Sequence, residues 1–134
     1  MQITYQDIWI AAGVLIGFQI YSFAWRISRE VKVGEQKDNT WLPPAEILNL
    51  ISMVVASLGV FALPILELVN YQFMKYSFGL AVILFVGYPF VLAGHYDLYN
   101  RKTKRSFKYF PKQEKVAVLI VCVFVILYLT LAIF

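Results

Sequence analysis

Apolar residues in this chain come in four long runs separated by short polar segments, and the length of the runs decides what they are. A hydrocarbon core about 30 Å thick takes about 20 residues of helix to cross. The first run, Ile8 to Trp25, contains no Asp, Glu, Lys or Arg. At 1.5 Å per residue it reaches about 27 Å, just enough to span. Ahead of it, Thr4-Tyr5-Gln6-Asp7 has the capping-box pattern, in which the Thr hydroxyl takes a free backbone N–H and the carboxylate reaches back. Trp9 and Trp25 bracket the run at the depth where indoles anchor to headgroups. The helix is expected over 5–33, leaving the membrane through Arg26, Arg29, Glu30 and Lys32 and stopping at Gly34.

The second helix is expected over 43–67. Pro43 and Pro44 fit a first turn, where their missing N–H groups would be unpaired anyway. Ala45, Asn49, Ser52, Ala56, Gly59 and Leu63 then recur at spacings of four and three, giving one face of small and weakly polar residues. Lipid supplies no hydrophobic drive for helices to associate, so such a face must work by close packing and hydrogen bonds. This places the second helix at the centre of the molecule. Pro64 removes a backbone hydrogen bond near its far end and predicts a kink. A short link follows, so the second and third helices form an antiparallel hairpin. The third helix, 75–98, carries Gly79, Gly87 and Gly94 on one broad face and a bend-inviting Pro89. The fourth, 113–134, is rich in Val, Ile and Leu and reads as a packing and lipid-facing wall.

The expected fold is therefore all-α: a single domain, 1–134, forming an integral-membrane four-helix up-down bundle. Composition agrees. At 60% hydrophobic residues and a mean hydropathy of +0.68, the chain lies outside the range of soluble domains. The N-terminal residues MQITYQD lack a basic n-region and a small-residue cleavage site, so the first segment is expected to stay and span. No internal repeat stands out.

Charge then orients the bundle. Of twelve Lys and Arg residues, four fall in 26–42 and seven in 99–115, leaving only Lys75 elsewhere. By the positive-inside rule both segments are cytoplasmic, with both termini outside a cytoplasmic (inner) membrane. The net charge of +4 sits in membrane-flanking loops rather than on a soluble face, which argues against nucleic acid as a partner. Arg101, Lys102, Lys104, Arg105, Lys108 and Lys112, interleaved with aromatics, suit the headgroups of an anionic leaflet or a docking partner. The single Cys122 lies in an apolar run with no activating cation.

Candidate chemistry is sparse. The orientation gathers Glu46, His95 and Asp97 near the cytoplasmic interface, with Arg26 close by, and adjacent second and third helices let Glu46 approach His95. A histidine beside carboxylates can shuttle protons, hold a metal or act on a headgroup. Each also has a local explanation: Glu46 in a first turn, Asp97 four residues before Arg101, His95 at a helix C-terminus. Glu67, near the other end, is explained by pairing with Lys75. No nucleophile–base pair, cofactor motif or metal cluster is evident. Gly13 and Gly17 form a G-x-x-x-G that serves a dimer seam or packing within the monomer, and packing within the monomer is the reading adopted. Asn49, Ser52, Ala56, Gly59, Gly87 and Gly94 are assigned to helix packing.

In size and helix count the chain is similar to small multidrug-resistance transporters, yet nothing ionised lies between Asp7 and Arg26 where that family places a glutamate. It is also similar in size to four-helix glutathione-linked membrane enzymes, without their polar motifs. Neither resemblance carries a site residue. The expectation is a non-enzymatic subunit, accessory or assembly partner, associating as a homo-oligomer or with another membrane protein. The alternatives are a small oligomeric transporter or channel with a polar cytoplasmic gate, and a lipid-headgroup enzyme.

Overall fold

The computed structural model describes residues 3–37, 42–100 and 108–133. Among them are four helices long and apolar enough to cross a membrane: α1 (Tyr5–Lys37), α2 (Pro44–Ile65), α3 (Tyr71–His95) and α4 (Lys112–Ile133). No strand occurs among the described residues.

α1 opens as its capping pattern dictates. The Thr4 N–H donates to Asp7 Oδ2 at 2.8 Å, and the Asp7 N–H donates to Thr4 Oγ1 at 3.3 Å. It runs one turn past the expected stop. A glycine ends a helix by turning left-handed, and no described glycine has a positive φ; Gly34 stays helical and buried.

α2 shows the effect of Pro64, though not as a simple kink. The segment Ser57–Ala62 is wound as a π-helix, in which the Leu63 N–H reaches back five residues to the Leu58 carbonyl. Pro64 has no N–H for the carbonyl four residues earlier, that of Val60. The Trp9 indole Nε1 supplies the missing donor at 2.9 Å. Trp9 is thus a tie between α1 and α2.

Two helices end in the same device. The Glu67 N–H donates to the Pro64 carbonyl and the Leu68 N–H to Leu63; likewise Asp97 donates to Gly94 and Leu98 to Ala93. These are Schellman closures, and they put Glu67 (φ 58°) and Asp97 (φ 55°) in the left-handed conformation usually left to glycine. α3 begins earlier than its charge boundary suggested, because Asn70 caps it by accepting the Phe73 N–H at 2.9 Å.

α3 packs along both α2 and α4, while α1 lies against α2 and α3. Close approach is bought with glycine at four contacts. A Cβ on Gly59 would collide with the Ser77 side chain and one on Gly79 with Tyr128; one on Gly87 would lie 2.6 Å from Val121. Gly94 is the tightest in kind: its neighbours at 2.8–2.9 Å are the backbone of Gln113 and Glu114. Two apolar clusters result. Ile8, Ala12, Val60 and Met74 fill the end near the N-terminus. Ala45, Leu84, Tyr88, Val91, Ala117 and Val121 fill the half nearer the basic segments.

Candidate functional site

On a helix, residues three or four apart share a face. Gln19, Ser22, Arg26 and Glu30 therefore line one stripe of α1, and Glu46, Asn49 and Ser52 one stripe of α2. The two stripes meet, with Tyr88 and Tyr96 of the α3 end closing over them, in a polar seam inside the apolar molecule.

Its ion pairs come first. Arg26 is 1% exposed and Glu46 0%. Arg26 Nε donates to Glu46 Oε1 at 3.1 Å, and Nη2 donates to Glu30 Oε1 at 2.8 Å. One guanidinium is thus shared by two carboxylates. The Tyr88 hydroxyl donates to the same Glu46 oxygen at 2.8 Å and accepts from Ser22 at 3.3 Å. The Tyr96 hydroxyl donates to Glu30 at 3.0 Å, and its ring lies 5.1 Å from the Arg26 guanidinium. Burial holds that phenol above its ordinary range, so at neutral pH it remains a donor.

Deeper in, the contacts turn neutral. The Ser52 hydroxyl donates to the Ala81 carbonyl at 2.6 Å, so it can only accept from the Gln19 amide nitrogen. Asn49 Nδ2 donates to the Gln19 carbonyl at 3.3 Å. These acceptor partners fix which way both amides face.

A second, smaller clamp joins α2, α3 and α4. Glu114, fully buried, holds His95 Nδ1 at 2.8 Å with Oε2 and accepts the Ala45 N–H at 3.0 Å with Oε1. The acceptor carboxylate makes Nδ1 the nitrogen that carries the proton.

The residues singled out in the sequence are thus divided among three places. Arg26 and Glu46 are in contact. His95 does not reach Glu46; its partner is Glu114, because Gly94 lets the start of α4 come against the end of α3. Asp97 closes α3 in its left-handed position. Glu67 closes α2 in the same way, so its backbone role accounts for its position without Lys75. Asn49 and Ser52 lie in the seam, and Ala56 is buried on the same helix. Gly13 and Gly17 are exposed, and a Cβ on either would meet nothing within 4 Å, so the monomer does not use them for packing. Lys108 and Lys112 are exposed; Arg101, Lys102, Lys104 and Arg105 lie outside the described residues.

Besides Glu30, named in the sequence only as a charge at the helix exit, five members were not singled out: Gln19, Ser22, Tyr88, Tyr96 and Glu114. Glu114 did leave a signal. Pro43-x-x-Glu46 and Pro111-x-x-Glu114 share one spacing, each proline beginning a helix. In a capping box the glutamate three residues in returns to the N-cap N–H, and proline has none. Both carboxylates are freed to bond other helices.

Chemically, the seam is a polar stripe with its charges paired inside the protein. Among the described residues, no Ser, Thr or Cys donates to His95 or to the buried carboxylates, and no group of three His, Cys, Asp or Glu gathers as metal ligands would. An apolar groove of about 840 Å³ lies between α3 and α4, lined by Val86, Phe90, Val116 and Ile120 with Lys112 at its mouth; no seam residue lines it. No family model, curated protein or solved structure matches the chain.

Proposed function

We propose that this chain is a membrane-embedded association subunit whose α1 seats a second copy. The observation that carries this reading is the contrast among its glycines. Gly59, Gly79, Gly87 and Gly94 are occupied by neighbours within the chain, whereas Gly13 and Gly17 form an open notch on an exposed face. A helix notched by G-x-x-x-G admits another backbone closely, which is how helices associate where lipid gives no hydrophobic drive. The basic ends face the cytoplasm and both termini lie outside, with Lys108 and Lys112 against an anionic leaflet.

Native mass spectrometry in mild detergent tests this. The expected species is an oligomer, reduced to monomer by Gly13→Leu with Gly17→Leu. An added Cβ at either position meets nothing within 4 Å, so the substitutions should not destabilise the monomer's own fold. A strictly monomeric wild-type protein that co-purifies with nothing would sink the reading.

A second reading, a small transporter or channel, draws on the seam, since ionisable groups inside a membrane protein can mark an ion or proton path. Flux in proteoliposomes discriminates: transport that Glu46→Gln abolishes supports it, and no flux of protons or ions removes it.

A further inference from the structure

Four buried side-chain atoms have no hydrogen-bond partner among the described residues: Gln19 Oε1, Asn49 Oδ1, Glu46 Oε2 and Arg26 Nη1. All four belong to the seam. Gln19, Asn49 and Arg26 are no more than 1% exposed and Glu46 is fully buried. The orientation of each amide is forced, because Gln19 Nε2 faces a hydroxyl already committed as a donor and Asn49 Nδ2 faces a carbonyl. Their oxygens must therefore look for donors elsewhere. A buried polar group that has given up water and gained no partner is costly, and four along one stripe would be a heavy load for a small domain.

We infer that these atoms are held by individual internal waters, buried one after another along the seam from the Glu30 end toward Gln19. It is independent of the association proposed above. Three unpaired acceptors and one donor call for a guest that both donates and accepts, which water does. Glu30 and Gln19 are eleven residues apart on α1, about 16 Å of helix; Glu30 lies beyond the apolar run 8–25 and Gln19 lies inside it. Glu30, 19% exposed, is the open end. The other end is shut: beyond Ser52 the interior is Ile8, Ala12, Val60 and Met74, all apolar and tightly buried. Water, and with it protons, reaches Glu46 from one face only.

Two buried side chains report on the two halves. Tyr88 lies in the seam at 4% exposure and Met74 in the apolar half at 0%. X-ray radiolysis in H2(18)O generates hydroxyl radicals from bound water, and peptide mass spectrometry locates the label. The expected result is 18O on Tyr88 at a rate comparable to exposed Tyr99, with Met74 unlabelled although methionine is intrinsically the more reactive side chain. Tyr88 unlabelled while Tyr99 is labelled would overturn the inference, as would labelling of Met74 equal to that of Tyr88, which would mean general solvent penetration.

Discussion

Arg26 is the residue on which the seam turns, and removing it makes a quantitative demand. In Arg26→Met, Glu46 keeps only the Tyr88 hydroxyl and Glu30 only the Tyr96 hydroxyl among the bonds that now hold their carboxylates. Breaking a buried pair by deleting one partner costs about 3–5 kcal/mol, because a buried charge is left uncompensated. Glu30, being partly exposed, adds little to that sum. Glu46→Gln is milder: its carbonyl still accepts from Tyr88, Arg26 still has Glu30, and the expected cost is about 1–2 kcal/mol. The double variant carries a neutral amide opposite a methionine, so it should be more stable than Arg26→Met alone. Its cost should fall short of the sum of the singles by about 1–3 kcal/mol, within the range found for contacting residues. Reversible unfolding in mixed micelles, titrated with SDS and followed by far-UV circular dichroism, gives all four corners. Additivity within about 0.5 kcal/mol, or an Arg26→Met variant as stable as wild type, would refute the pairing.

Three further outcomes follow from the same geometry. Trp9→Phe deletes the donor to the Val60 carbonyl and should cost about 1–2 kcal/mol; the penalty should shrink in a Pro64→Ala background, where residue 64 regains its own N–H, and an equal penalty in both would refute the tie. Glu67→Gly relieves a left-handed residue and should raise stability by about 1 kcal/mol in the same titration, with Asp97→Gly gaining less because Asp tolerates that conformation better. Gly94→Ala sets a methyl against the Gln113–Glu114 backbone, which cannot move as a flexible side chain would. It should cost about 1–3 kcal/mol by forcing α3 and α4 apart.

The four helices were legible because length alone separates a membrane span from anything else in a chain of this composition. Arg26 and Glu46 were legible as candidates because charge is rare beside such runs. Their partners were less so. The pairing of His95 with Glu114 depends on how closely two helices approach at Gly94, a distance that no periodicity encodes. Gln19 is a single amide in a long apolar run, and only the arrival of Ser52 and Asn49 from another helix makes it part of a stripe. Asp97 and Glu67 show a limit of a different kind: the rule for helix ends names glycine or asparagine, and here the backbone pattern of the closure prevails over the residue's own preference. The π segment of α2 was half visible. Pro64 announced an unpaired carbonyl, but not that an indole from α1 would take it.

The one-sided seam also imposes an order of assembly. The chain is made from its N-terminus, so α1 reaches the membrane before Glu46 and Ser52 exist to receive Arg26 and Gln19. An arginine at the centre of a lone helix costs about 2.5–3.5 kcal/mol to insert, less near an end where its long stem reaches the headgroups. Until α2 follows, Arg26 has only Glu30 on its own helix and whatever headgroups its stem can reach. The two helices then settle as a pair, locked at one end by Arg26 on Glu46 and at the other by Trp9 on Val60. A chain interrupted after α1 keeps polar groups that lipid cannot satisfy, which marks it as unfinished.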